Sequence, residues 1–167
     1  MQNQPEEDAG KVLYREGGVT WRIIARHYVN MNITFAKDVL PALSGVAEYV
    51  HMGIPSAGKY LAGLWEGNLE EQLLWCSYDS AKCHRPPSYT TPSFSWASRI
   101  GSLRWKSPSA QSERIFNIVE ARCDVQGPGE FGQVVDGNLK LRGQVAQVER
   151  RLEQQKGLVR GKKASNS

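Results

Sequence analysis

No stretch of the 167-residue chain approaches the ~18–20 consecutive apolar residues that a membrane-spanning helix needs. Cysteine is scarce. Cys76, Cys83 and Cys123 make an odd count with no framework spacing, which argues against a disulfide-stapled scaffold and points to free thiols in a cytosolic or nuclear location, with the cytoplasm expected. The first ten residues are polar and carry Glu6, Glu7 and Asp8. They lack the basic start and apolar stretch of a secretory leader. A phosphate-cradling loop is missing too, because Gly58-Lys59 has neither the preceding glycine at the required spacing nor a following Ser or Thr. Nor do strands alternate with helices, so a doubly wound nucleotide fold is excluded.

What is present describes a folded chain. Hydrophobic residues make up 40% and charged residues 23%, a balance that fits a globular protein rather than a disordered one. A chain of ~150 residues hides roughly two-thirds of its unfolded surface. The net charge of +4 invites a nucleic-acid reading, but its distribution weakens it. Residues 149–167 hold six basic side chains (Arg150, Arg151, Lys156, Arg160, Lys162, Lys163) and two acidic ones (Glu149, Glu153), and this accounts for the whole excess. A footprint for nucleic acid belongs on a folded body. The expected organisation is an exposed lead-in at 1–16, one module at 17–148, and a basic tail at 149–167, helical or disordered.

Helical spacing comes first. Trp21, Ile24, Ala25 and Tyr28 share one face of a helix predicted over Val19 to Asn30, with Arg22 and Arg26 on the wet side. Thr34 is placed to cap a second helix, with Asp38 near its positive end and Val39, Leu43, Val46, Ala47 and Val50 inward. Pro41 means that this helix either bends or starts there. A short apolar run, Tyr60 to Trp65, follows. The Asn68/Glu71 spacing then opens a helix over Leu69 to about Cys76, with Leu69, Leu73 and Cys76 inward. Residues 77–91 contain Pro86-Pro87 and read as loop.

The period then becomes two. Phe94 and Trp96 alternate with Ser95 and Ala97, and Leu103 and Trp105 flank Arg104. Arg114 to Val125 is the longest predicted strand, with Ile115, Val119, Ala121, Cys123 and Val125 on one face and Phe116 and Ile118 on the other. Asp136-Gly137-Asn138 reads as a hairpin turn between Phe131–Val135 and Leu139–Val145, with Leu139, Leu141 and Val145 facing one way. Helices over about 19–76 should therefore pack on an antiparallel sheet over about 93–147, an α+β fold.

The succession of motifs resembles the region that follows the conserved domain of fungal heterokaryon-incompatibility (HET) proteins. Trp21 and Tyr28 lead. Thr34, Asp38, Leu43, Gly45 and Ala47 follow within Ile33-Thr34 and Leu40-Pro41-Ala42-Leu43-Ser44-Gly45. Then come Tyr60, Gly63 and Trp65 in Tyr-Leu-Ala-Gly-Leu-Trp, and Trp75 after two leucines. Pro92, Ser95, Trp96 and Ser98 form a fourth cluster, and Gly132 and Gly143 end the series. The family's hydroxyl residue after the motif tyrosine is Val29 here, the arginine two places further on is Met31, and the basic residue after the motif aspartate is Val39. Only twenty residues precede Trp21, too few for a HET domain, so a truncated product, a fragment or a degenerate paralogue is expected. The resemblance implies fungal non-self recognition and programmed cell death, with a HET or other protein domain as partner.

No catalytic, cofactor or metal set is assigned. Trp65, Trp75, Trp96 and Trp105 could form a stacking platform, but their apolar neighbours favour a core. Cys76, Cys83 and His84 lack two close ligand pairs and a fourth ligand for zinc. A cysteine nucleophile needs an adjacent base, which sequence neighbours do not establish. Asp38 and Glu48 are explained by a helix cap and an outer helix face. Gly127-x-Gly129-x-x-Gly132 matches a dinucleotide pattern but has no helix behind it. The expected function is a non-catalytic accessory or interaction module. The alternatives are a remnant of an NAD-processing signalling enzyme, and a nucleic-acid binder acting through the tail.

Overall fold

A computed structural model describes residues 20–31, 33, 35–107 and 115–144. Thr34, the lead-in, the tail and Val145 lie outside the described residues, as does most of the connection before Ile115.

Residues 20–29 form helix α1. Its apolar stripe is the one the spacing predicts: Trp21 and Ala25 are buried, and Ile24 and Tyr28 are half-buried. Arg22 departs from its predicted wet face. Its side chain is only 12% exposed, and its guanidinium lies 3.4 Å from Glu71, because α1 packs beside the later helix that carries Glu71. Pro41 resolves in favour of a start. Two single turns of 3₁₀ helix, Ala36–Asp38 and Pro41–Leu43, precede helix α2, Ser44–Gly53. The proline takes the first position of its turn, where its missing N–H costs nothing. Asp38 is exposed and lies ahead of α2, so it does not cap that helix.

Helix α3, Leu69–Gln72, stops after one turn instead of reaching Cys76. The chain then extends as strand β1, Trp75–Ser77, which pairs antiparallel with β2, Leu103–Trp105, so that Trp75 faces Trp105. The segment from Ser93 to Ala97 is not a strand. Ser95 accepts a bond from the Ala97 backbone N–H and so starts a 3₁₀ turn over Trp96–Ser98.

The long hairpin joins β3, Phe116–Val125, to β4, Val134–Gly143. Register shifts lie between Ile118 and Glu120 and between Asp124 and Val125. The first inserts Val119 as an extra residue and inverts the alternation. Phe116 and Ile118 therefore share the inner face with Ala121, Cys123 and Val125, while Ile115 and Val119 are exposed. Asp136-Gly137-Asn138 is not a turn. It runs straight through β4, with Gly137 opposite Cys123. Gly137 is needed for another reason: a Cβ there would lie 2.5 Å from the Pro92 ring. The glycine-rich 126–133 segment makes the hairpin connection, as its lack of a following helix implied.

The fold is α+β, with two two-stranded sheets in place of one continuous sheet. One core cluster joins Ala25, Leu40, Leu43, Leu64, Leu69, Trp96 and Leu103, with the inner face of β3–β4 against it. A second, aromatic cluster joins Trp21, Ala47, Ala57, Tyr60 and Trp65, with Phe131 against it. Among the described residues no helix is long and apolar enough to cross a membrane.

Candidate functional site: a buried turn held by tryptophans

The motif residues converge on one tight turn. Tyr60 and Trp65 pair as an isolated antiparallel bridge. Between them, the Leu61 N–H donates to the Leu64 carbonyl at 2.7 Å and the Leu64 N–H to the Leu61 carbonyl at 3.2 Å. The two central residues have positive φ, 52° at Ala62 and 90° at Gly63, the signature of a two-residue hairpin turn. Such turns normally face water. Here Leu61, Ala62 and Leu64 are all core residues, so the turn's carbonyls must find partners inside the protein.

Those partners are motif side chains. The Trp21 and Trp96 indole N–H groups both donate to the Gly63 carbonyl, at 2.9 and 2.7 Å. The Ser95 hydroxyl donates to the Ala62 carbonyl at 2.6 Å. Gly63 has two reasons to be glycine: its positive φ, and a Cβ position 2.8 Å from the Trp96 indole nitrogen. Trp21 meets Trp65 edge-on with ring centroids 5.7 Å apart, and Tyr60 lies 5.0 Å from Trp65.

Sequence reasoning missed Gln72. Its side chain is fully buried and copies a strand edge: the Trp65 N–H donates to Gln72 Oε1 at 2.9 Å, and Gln72 Nε2 donates back to the Trp65 carbonyl at 3.1 Å. The same amide nitrogen also donates to Asn68 Oδ1. The Trp105 indole donates to the Gln72 carbonyl at 2.9 Å. A signal existed, because Gln72 falls on the inward stripe of Leu69 and Leu73, where a polar residue needs a buried partner.

The remaining motif residues have local roles. Leu43 and Ala47 are buried. The Trp75 indole donates to the Phe94 carbonyl at 2.8 Å. Pro92 covers Gly137, and the Ser98 hydroxyl reaches the Ser93 carbonyl at 3.5 Å. At Gly132 a Cβ would stand 2.9 Å from the Gln126 carbonyl, and at Gly143 2.6 Å from the Ile115 carbonyl. Tyr28 is held above the usual phenol range, by burial first and then by the nearby Asp38 carboxylate. Gly45 differs: it is exposed, with nothing within 4 Å of where a Cβ would stand.

The residues weighed for chemistry do not gather. Cys76, Cys83 and Cys123 are unpaired thiols. Cys123 is pushed up to about 12, by burial first and then by the Asp124 and Asp136 carboxylates, which keeps it a neutral thiol. Among the described residues no group of three or more His, Cys, Asp or Glu side chains could hold a metal ion.

The buried turn is thus a structural node, in which tryptophan and serine side chains satisfy backbone carbonyls that water cannot reach. No family model, curated protein or solved structure matches the chain.

Proposed function

We propose that this chain is a non-catalytic accessory module of the fungal HET type, which docks a HET or other protein domain in heterokaryon incompatibility and programmed cell death. Most of its motif residues serve the scaffold, and its contact surface is built mainly from other residues. The observation that carries this reading is the outer face of α2. Val46, which the spacing places inward, is instead 39% exposed and recurs at helical spacing with Tyr49 and Met52 on that face, Tyr49 at 74% and Met52 at 68% exposed. Large apolar side chains left in water along one helix face favour a partner that covers them. Gly45, with open space around it, continues the same face and allows a partner's backbone to approach closely.

The test is a chimaera. The corresponding region of a HET protein that triggers death in a fungal host is replaced by this chain, and hyphal death is scored. The reading expects death to be restored, and to be lost when Tyr49→Ser and Met52→Ser are introduced without loss of folding. An inert chimaera, together with nicotinamide release when the purified chain is incubated with NAD, would replace it with the enzymatic alternative.

A further inference from the structure

The loop after β1 carries a short run that the scaffold does not use. Residues 85–89 read Arg-Pro-Pro-Ser-Tyr. Both ends of the run are fixed. Upstream, His84 and Ile100 exchange backbone bonds at 3.1 and 2.9 Å. Downstream, Thr90 and Thr91 are buried, and the Pro92 carbonyl accepts from the Ser95 N–H at 3.0 Å. Between those points, residues 85–89 make no hydrogen bond with any other described residue. Their backbone groups are left to water or to a partner.

The side chains point to the kind of partner. Pro87, Ser88 and Tyr89 are exposed and Pro86 is half-buried. Tyr89, a large aromatic, stands 59% in water. A cavity of about 170 Å³, lined by the run together with Thr91 and Ser98, keeps it from packing down on the body. Each proline fixes its own φ and drives the residue before it towards extended backbone. A polyproline helix has three residues per turn, so in that form Pro86 and Tyr89 recur on one ridge about 9 Å apart, with Pro87 beside them. Aromatic-lined grooves take proline rings at that spacing with little ordering cost. A bend at Pro87–Ser88 has to open for this, and no backbone bond resists it. The Pro-x-x-Pro ligands of SH3 grooves need a second proline where this chain has Tyr89.

We infer that Pro86-Pro87-Ser88-Tyr89 is a docking motif for a partner protein that carries a WW-type domain. The proline rings stack on the groove's aromatic side chains. The Tyr89 ring fills the neighbouring pocket, with its hydroxyl at the wet rim. Ser88 faces water and is not read. No bond is made or broken, and the motif is independent of the docking face on α2.

The experiment titrates the purified full chain by calorimetry with two purified domains, a WW domain that takes Pro-Pro-x-Tyr peptides and an SH3 domain that takes Pro-x-x-Pro peptides. The WW domain should bind saturably, and the SH3 domain at least tenfold more weakly. In two-dimensional NMR of the labelled chain, the shifted amides should centre on Ser88 to Thr90. Tyr89→Ala and Pro87→Ala should each weaken WW binding about tenfold or more. Both positions are exposed, so both variants should melt within ~2 °C of the parent. Ser88→Ala should bind unchanged. The paired Tyr49→Ser and Met52→Ser changes on α2 should leave WW binding intact, so the two surfaces fail separately. Three outcomes overturn the inference: no saturable binding by the folded chain, equal binding of the SH3 domain, or a well-folded Tyr89→Ala that binds unchanged.

Discussion

The side-chain amide of Gln72 closes two hydrogen bonds with the backbone of Trp65, taking the N–H at 2.9 Å and returning one to the carbonyl at 3.1 Å. A strand would ordinarily make that pair. A one-turn helix makes it here, because α3 ends at Gln72 and presents the amide sideways to the extended Trp65.

Replacing Gln72 with leucine should therefore cost far more than its modest change in volume implies. Two buried backbone groups lose their partners, at ~1–3 kcal/mol each. We expect Gln72→Leu to destabilise the fold by about 2–5 kcal/mol in urea unfolding. Gln72→Glu should also be destabilising, since a carboxylate cannot donate to the Trp65 carbonyl.

Two glycines of the motif series should respond in opposite ways to the same change. Gly63 has a φ of 90° and a Trp96 nitrogen 2.8 Å from its Cβ position. Gly63→Ala should lower stability by roughly 3 kcal/mol or more, from backbone strain and overpacking together. Gly45 lies in α2 with nothing within 4 Å. Gly45→Ala should be neutral or raise stability by up to ~1 kcal/mol. Paired thermal melts check both.

Alkaline pH should weaken the fold through Cys123. Its thiol titrates at about 12 in the folded chain against an ordinary value of 9.0, so the unfolded chain loses this proton first. The contribution is fully present below pH 9 and is lost as pH rises through the window from 9.0 to about 12. Tyr60 acts in the same direction, since burial raises its phenol as well. Urea unfolding at pH 8, 9 and 10 should show falling stability, with a shallower fall in Cys123→Ala. At pH 8, iodoacetamide should modify Cys123 at least ~100-fold more slowly than a free peptide thiol, because the thiolate is the reactive form.

The parts of the fold that follow from spacing were legible in the sequence: the buried stripe of α1, the β2 strand at Leu103–Trp105, and the α+β order. The rest depended on contacts between distant residues. Phe94 and Trp96 alternate as a strand would, but the Ser95 hydroxyl turns the chain by accepting a local N–H. Asp136-Gly137-Asn138 carries a turn's residues, yet its glycine answers to Pro92, forty-five residues earlier. The inversion of faces at Val119 comes from pairing register, which periodicity within one strand does not encode. The buried turn was visible only as an apolar run, because nothing in Tyr60 to Trp65 says which side chains will reach its carbonyls. Gln72 sat on a readable inward stripe but needed Trp65 to explain it.

The central claim is that two tryptophans share one acceptor, the Gly63 carbonyl, and so hold the motif region together. A double-mutant cycle of Trp21→Phe and Trp96→Phe, measured by urea unfolding, tests it most directly. Either single change leaves the carbonyl one donor, and the double change leaves it none. We expect the double variant to lose about 1 kcal/mol or more beyond the sum of the singles. Strictly additive losses would contradict the shared acceptor.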